Sequence, residues 1–218
     1  MSNPPLPEFD PALLAAQLRK PSGEAASQVA TQMNLSNQRL TELSYRLLAA
    51  TAQETVLEVG PGNGAFLNSL LSAVGTQGRV HALDYSAEMI SEIVQRHSLA
   101  CDSGHLQVIE GCLQALPFPD QSMDGICTVN TLYFWDSPPD CLAELWRVLK
   151  PGGRLVLGFR SRQAVQHLPF TQHGFTLYSP AEVVSLTEQH GFEIVALERV
   201  WAEQMDNIGL KLQKPPMG

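Results

Sequence analysis

The sequence lacks the features that direct a chain into a membrane or onto nucleic acid. It contains no apolar run of the roughly 18 residues that a transmembrane helix needs, so no membrane span is expected. Its N-terminus is polar and rich in proline, without the apolar segment of a signal peptide. Acidic residues outnumber basic ones by 22 to 14, and the formal net charge is −8. Because proteins that wrap nucleic acid usually carry a basic face, nucleic acid is disfavoured as a partner.

Cysteine is scarce, and its spacing does not suit metal binding. The four cysteines are Cys101, Cys112, Cys127 and Cys141, and no two of them form a C-x-x-C pair. No His-x-x-x-His pair accompanies them, so we expect no metal site. The pattern is typical of a reducing compartment without structural disulfides, and it predicts a cytoplasmic location.

The composition that remains is that of one globular domain. The chain has 218 residues, 44% of them hydrophobic, which suits a single α/β domain with an N-terminal extension. We assign residues 1–21 to the extension, disordered or with a short helix from Pro11, and residues 22–218 to the domain. Apolar spacing predicts a helical cap over about 22–50, made of two helices that are interrupted at Asn34–Ser36.

The most informative stretch runs from Thr55 to Leu71. The apolar, β-branched run Val56–Val59 predicts a buried strand, and three glycines follow within five positions. Apolar residues at helical spacing come next, from Phe66 to Leu71. Glycine in such a strand–turn–helix unit tolerates a positive φ and lets a ligand lie against the backbone, and the helix start adds free N–H groups. The stretch therefore predicts a ligand-binding turn.

Two kinds of ligand fit this turn. The pattern Gly60-x-Gly62-x-x-Ala65 also matches dinucleotide-binding proteins, so an NAD-dependent oxidoreductase stays open. Glu58 favours another ligand, because a carboxylate beside the turn would repel a pyrophosphate in a partly dry crevice. S-adenosylmethionine (SAM) carries a sulfonium and an ammonium group and no phosphate. The alternative is that Glu58 is a salt-bridged structural residue.

A second strand and its end support an adenosine ligand. The run Arg79–Leu83 predicts a strand, and Asp84 lies at its tip. A carboxylate there accepts hydrogen bonds from both ribose hydroxyls of either NAD or SAM. Tyr85 follows, placed to lay its ring against an adenine, and Ser86 can cap the next helix.

Three segments together resemble one protein family. Residues 56–64 (Val-Leu-Glu-Val-Gly-Pro-Gly-Asn-Gly) carry every anchor of the hxExGxGxG motif of class I SAM-dependent methyltransferases. Residues 86–90 and 147–153 resemble later segments of that family, so the resemblance covers roughly 56–159. It implies a Rossmann-like α/β fold, with a seven-stranded, mostly parallel sheet, flanking helices and an N-terminal helical cap. It also implies that the last strand, indicated by the alternation Ile208–Leu212, runs antiparallel between its neighbours.

The resemblance implies SAM as the cofactor and a small molecule as the methyl acceptor. The residues that it places around SAM are Glu58, Gly60, Pro61, Gly62, Asp84, Tyr85, Cys112, Leu113 and Asn130. Gly60, Gly62 and Gly64 would form the floor under the methionine and ribose, and Asn130 would contact the amino acid end. Cys112 stands where the family typically has an aspartate that accepts from the adenine amino group. A thiol is a weak acceptor, so only the position carries over.

Three assignments stay open at this point. Tyr45, in the last helix of the cap, could reach the methionine end or simply pack. The aromatic run Leu132–Trp135 could line an acceptor pocket or belong to the core. No sequence pattern identifies a general base, and Tyr133, His167 and His173 are the candidates. The catalytic residue is therefore left unassigned.

The function predicted from these features is methyl transfer from SAM to a small-molecule acceptor by in-line displacement. Two other functions stay open. One is a SAM-binding partner or sensor that does not catalyse, which turnover with an acceptor would exclude. The other is an NAD-dependent oxidoreductase, which stabilisation by NADH and not by SAM would indicate.

Overall fold

A computed structural model describes residues 10–202 and 205–216 and shows one mixed sheet of seven strands. The strand order is β3-β2-β1-β4-β5-β7-β6, in which β1 to β5 are parallel and β7 is antiparallel to both of its neighbours. The strands are β1 Thr55–Val59, β2 Arg79–Asp84, β3 Leu106–Glu110, β4 Met123–Val129, β5 Leu149–Phe159, β6 Glu193–Ala202 and β7 Met205–Gln213. The predicted sheet and its inserted last strand are confirmed.

Helices cover both faces of this sheet. They are α1 Pro11–Arg19, α2 Ala26–Leu48, α3 Leu67–Val74, α4 Ala87–Arg96, α5 Ser98–Asp102, α6 Pro138–Val148, α7 Arg162–Val165 and α8 Pro180–Glu188. Short 3-10 turns occur at Gly23–Ala25, Leu132–Phe134 and Pro169–Gln172. No helix in the described part of the chain is long and apolar enough to cross a membrane.

The core is divided between the two faces of the sheet. One cluster of buried side chains joins the sheet to α6 and α8, and the other joins it to α2, α3 and α4. Central strand residues such as Val56 and Leu57 are fully buried because helices cover them from both sides. The sheet is therefore a rigid support, and the loops at its carboxyl edge are free to carry a site.

The predicted interruption of the helical cap is wrong. Instead of two helices separated at Asn34–Ser36, α2 runs without a break for 23 residues. The polar side chains that indicated a break are accommodated on the helix surface: Ser36 Oγ donates to the carbonyl of Met33 at 3.1 Å, and Asn34 Nδ2 donates to Asn63 Oδ1 at 3.0 Å. Tertiary contact thus overrides the local preference for a turn. The predicted short helix from Pro11 is present as α1, and residues 1–9 of the extension lie outside the described residues.

A pair of glycines lets α2 lie against the sheet. Gly158 in β5 and Gly209 in β7 are direct partners in the antiparallel register. A Cβ at Gly158 would overlap Ser44 Oγ, and a Cβ at Gly209 would overlap Leu47 Cδ1. The absence of both side chains therefore sets the depth at which α2 packs, and α2 carries polar residues to the carboxyl edge of the sheet.

Gly209→Ala should destabilise the fold through this contact. The added methyl fits only if the Leu47 side chain shifts, and overpacking of this kind costs about 1 to 3 kcal/mol. Urea denaturation of the four members of a cycle with Leu47→Ala would measure the coupling. In the Leu47→Ala background, Gly209→Ala should cost clearly less, because the methyl that it meets is gone. Equal costs in the two backgrounds would show that the helix is not seated on this glycine.

Candidate functional site

A cavity of about 270 Å³ lies at the carboxyl ends of β1, β2 and β4, beneath α1 and α2. This position is the switch point of the sheet, where β2 lies on one side of β1 and β4 lies on the other. All nine residues that the sequence assigned to a cofactor line this one cavity: Glu58, Gly60, Pro61, Gly62, Asp84, Tyr85, Cys112, Leu113 and Asn130. The structure thus brings them together, and their individual roles toward a ligand stay predictions.

In the glycine turn after β1, Gly62 is the residue with open space beside its backbone. Gly62 has a φ of +57°, and a Cβ built on it would meet no atom within 4 Å. Gly60 has a φ of +71°, but a Cβ there would come within 2.5 Å of Thr131 Cγ2. Gly64 lies outside the cavity, since a Cβ there would be 2.9 Å from Leu67 Cδ1. Of the three glycines that the sequence predicts as a floor under the ligand, Gly60 and Gly62 line the cavity and Gly64 does not.

Asp84 ends β2 as a buried carboxylate that holds the glycine turn. Its side chain is 5% exposed, with Oδ2 accepting from the Gly62 amide at 3.2 Å and Oδ1 from the Ser86 amide at 3.0 Å. Burial raises the pKa of Asp84 to about 6, although these backbone hydrogen bonds oppose the rise. An amide that already donates to a carboxylate is not free to bind a phosphate, so the turn does not suit a pyrophosphate.

Glu58 is a second buried carboxylate in the same cavity, and it is 4% exposed. Its partner is a neutral phenol: the Tyr45 hydroxyl donates to Glu58 Oε2 at 2.5 Å. Burial raises the pKa of Glu58 to about 7, the negative charge of Asp84 adds to this rise, and the hydrogen bond from Tyr45 opposes it. Tyr45 does not line the cavity, so it acts on the site through Glu58. The salt-bridged interpretation of Glu58 is not supported.

The charges around the cavity are predominantly negative. Its charged lining residues are the carboxylates of Glu58, Asp84 and Asp136 and the guanidinium of Arg19. Arg19 is already engaged, because its Nη2 lies 2.9 Å from Asp136 Oδ1. Glu58 and Asp84 thus face the cavity without a cationic partner among its described lining residues, which favours a positively charged ligand.

The end of α1 closes the cavity on the side of Tyr85. The Tyr85 hydroxyl donates to the carbonyl of Arg19, and Ser86 Oγ donates to the carbonyl of Pro21 at 2.6 Å. Lys20 Nζ lies 5.4 Å from the centre of the Tyr85 ring. These contacts join residues more than sixty positions apart in the chain, and no local motif indicates them. Sequence analysis therefore missed Arg19, and also Met33 of α2, as wall residues.

Asn130 marks the boundary between this cavity and a second one. It follows β4 with a φ of +56°, a strained conformation for a residue other than glycine. Its Nδ2 donates to Asn37 Oδ1 at 2.9 Å, and its Oδ1 accepts from the Tyr133 hydroxyl at 3.1 Å. Asn130 also lines an adjoining cavity of about 320 Å³. The strain is thus located where a ligand in one space would meet a ligand in the other.

The aromatic run Leu132–Trp135 contributes to both cavities, whereas the two candidate histidines contribute to neither. Trp135 lines the first cavity, Tyr133 the second and Phe134 both, so this run contributes to pocket walls as well as to the core. The Tyr133 hydroxyl accepts from the Arg160 amide at 2.6 Å, and burial raises the pKa of this phenol, so it stays protonated. His167 and His173 are exposed and line neither cavity, so none of the three is placed as a base.

The comparisons with known proteins agree with this geometry. The family described as "Methyltransferase domain" matches residues 57–157, which include the glycine turn and Asp84. A demethylmenaquinone methyltransferase of Clavibacter sepedonicus is 33% identical over 159 residues, which cover 72% of this chain and 61% of that protein. The biotin biosynthesis bifunctional protein BioHC of Teredinibacter turnerae is 29% identical over 154 residues. The match covers 66% of this chain but spans only 27% of that relative's length.

Among solved structures, a SAM-dependent methyltransferase from Aquifex aeolicus superposes with a TM-score of 0.70. The superposition covers 95% of this chain and the whole of the other, at 23% sequence identity, so it shows the shared fold. The matched domain contains the strand, the glycine turn and the acidic strand end that line the cavity. Residues 57–157 therefore match the methyltransferase domain family, and the chain as a whole shares the fold of a SAM-dependent methyltransferase.

Proposed function

We propose that this protein transfers a methyl group from SAM to a small-molecule acceptor. The observation that carries the proposal is the pair of buried carboxylates, Glu58 and Asp84, that share one cavity with an open glycine turn. A cationic adenosine derivative would satisfy both acids. The Clavibacter relative is named for methylation of a small molecule, which supports the acceptor class.

The residues present fit SAM at each part of the molecule. Asp84 would accept hydrogen bonds from the ribose hydroxyls, and the space beside Gly62 would admit the ligand against the backbone. Glu58 would face the amino end of the methionine portion, with Asn130 beside it. The remaining end of the cavity, lined by Tyr85, Leu113 and Cys112, would hold the adenine. Tyr85 offers its ring for stacking and Leu113 its backbone amide, so the missing aspartate at Cys112 leaves two adenine contacts.

When bound, SAM supplies an electrophilic methyl carbon: the acceptor's lone pair forms the new bond as the carbon–sulfur bond breaks, leaving S-adenosylhomocysteine. The chain's own contribution is positioning and exclusion of water by α1 and α2, and alignment of this kind is worth about 7 to 11 kcal/mol. No histidine or lysine occurs among the described lining residues of either cavity. The lining carboxylates are also engaged, since Glu58 and Asp84 are assigned here to SAM and Asp136 pairs with Arg19, so the acceptor should present an atom that needs no deprotonation by the enzyme.

Two alternative functions predict different results. An NAD-dependent oxidoreductase requires a pyrophosphate at the turn whose Gly62 amide donates to Asp84, so NADH should not raise the melting temperature. A SAM-binding protein without catalysis is the second candidate, because no residue is identified as a general base and Cys112 replaces the family's adenine-binding aspartate. Formation of S-adenosylhomocysteine in the presence of an acceptor separates catalysis from binding alone.

Asp84→Asn should weaken the binding of S-adenosylhomocysteine about 10- to 100-fold, because a charge-assisted pair of ribose contacts is lost. Isothermal titration calorimetry measures the change. Asp102→Asn is the matched control, since Asp102 is an exposed acid at the end of α5, away from the cavity. Equal affinities of wild type and Asp84→Asn would remove Asp84 from the ligand site.

Glu58→Gln should flatten the dependence of stability on pH. The pKa of Glu58 is raised from 4.5 to about 7, so the folded protein holds this proton more tightly than the unfolded chain. The stability that the proton contributes is complete below about pH 4.5 and is lost as the pH rises through about 7. Glutamine removes this loss, which is on the order of 3 kcal/mol, and leaves the smaller decline due to Asp84.

The free energy of unfolding in urea, measured at pH 5 and pH 8, tests this effect. Glu92→Gln serves as the control, because Glu92 is an acid of α4 that does not line the cavity. The same decline in wild type and Glu58→Gln would mean that Glu58 does not carry the buried charge.

A further inference from the structure

The second cavity is large enough and near enough to hold the reaction partner of the first. Its volume is about 320 Å³, against about 270 Å³ for the first. Five residues line both spaces, namely Leu18, Met33, Asn37, Asn130 and Phe134. A molecule in the second cavity would therefore be separated from a ligand in the first cavity by these side chains alone. The strained Asn130 lies at the junction of the two cavities.

The wall of the second cavity is aromatic and aliphatic. The Phe175 ring contacts three other aromatic rings of this wall: its centroid lies 4.6 Å from that of Phe134, 5.6 Å from that of Phe170 and 5.7 Å from that of Tyr133. Leucine and valine side chains from α1, α2 and the segment between β5 and α8 add to this apolar lining. The uncharged polar residues of the lining are Gln32, Ser36, Asn37, Asn130 and Thr171. Rings packed edge-on and tilted in this way favour a flat apolar ligand, which can stack where a flexible chain gains less.

The lining of the second cavity also includes a positive charge. Arg160, the residue after β5, is the charged residue among the described lining residues of the second cavity. Its Nη2 donates to the carbonyl of Ser36, but its Nε–H is buried and has no hydrogen-bond partner in the described part of the chain. A buried donor without a partner costs stability, so Arg160 is a cation that still has a hydrogen bond to give.

The buried acid Asp206 does not fill this role. Asp206 is fully buried, and its charge acts on Arg160 through space. Its Oδ1 accepts from the Ser161 amide at 3.0 Å, and its Oδ2 lies 2.7 Å from Arg199 Nη2. Asp206 is thus ion-paired with Arg199, although its Oδ2 forms no hydrogen bond in the described part of the chain, and it forms none to the Arg160 guanidinium.

We propose that the second cavity binds the methyl acceptor, and that the acceptor is a flat aromatic molecule with an anionic oxygen that binds Arg160. This inference rests on the proposed function and deepens it by naming the class of acceptor. A carboxylate or phenolate oxygen would pair with the Arg160 guanidinium and accept from its Nε–H once the side chain turns to expose this buried atom, and the aromatic body would lie among Phe134, Phe170 and Phe175.

The test compares a probe acid with its neutral amide in the presence of saturating S-adenosylhomocysteine. We choose 1-naphthoate and 1-naphthamide, which share the same flat body and differ in charge. Calorimetry with the wild type should show tighter binding of 1-naphthoate. Arg160→Gln should weaken binding of 1-naphthoate about 10- to 100-fold, because a charge-assisted hydrogen bond is lost, and leave 1-naphthamide unchanged.

Two further variants distinguish charge from folding. Arg162→Gln is the matched control: Arg162 is an exposed arginine that pairs with Glu182 and lines neither cavity, so it should not alter either affinity. Arg160→Lys restores a cation and should recover part of the affinity for 1-naphthoate. Affinity for S-adenosylhomocysteine, measured first, should be the same in all variants and confirms that each one folds.

The binding results separate failure of the proposed function from failure of the acceptor assignment. Absence of S-adenosylhomocysteine binding by the wild type would refute the proposed function itself. Retained cofactor binding together with no binding of 1-naphthoate, or with equal losses for the acid and the amide in Arg160→Gln, would overturn the assignment of an anionic aromatic acceptor and leave the proposed function standing.

Discussion

The hydrogen bond from the Gly62 amide to the Asp84 carboxylate links the two strand ends on which the cofactor site depends. It joins the turn after β1 to the end of β2, and so sets the shape of the cavity floor. It also uses the amide that a phosphate would need. With Glu58 buried nearby, the chain keeps two negative charges in a space that disfavours them, and the raised pKa of each carboxyl is the measure of that cost. A positively charged adenosine ligand would offset this cost, so the two acids favour a cationic ligand over one that carries phosphate.

The same arrangement makes stability and binding oppose each other. Buried acids whose charged forms are disfavoured weaken the free protein at neutral pH, and a strained residue such as Asn130 adds to the burden. The fold compensates elsewhere, through a sheet buried on both faces and through α2, which packs closely on the Gly158–Gly209 pair. The helix that stabilises the sheet is also the one that carries Asn37 to the site, so packing and ligand geometry share one element.

The amino-acid sequence is sufficient to predict the sheet and one side of the site, and insufficient for the other side. Strand, turn and acidic strand end are local patterns, so the positions of Glu58, Gly62 and Asp84 follow from the order of residues alone. Gly64 is misplaced by that reasoning because spacing does not show which glycine faces a ligand and which faces Leu67. The continuous α2 and the wall contributed by Arg19 depend on contacts between distant segments, as does the free Nε–H of Arg160. No local pattern carries that information.

Proton release on ligand binding tests the electrostatic core of this description most directly. Titration of the wild type with S-adenosylhomocysteine at pH 6.5, in two buffers of different ionisation enthalpy, gives the number of protons released. Because the ammonium group and the ribose hydroxyls favour the ionised forms of Glu58 and Asp84, binding should release protons, and Glu58→Gln should release fewer. Binding without proton release, or with uptake, would show that these two carboxyls do not face the ligand.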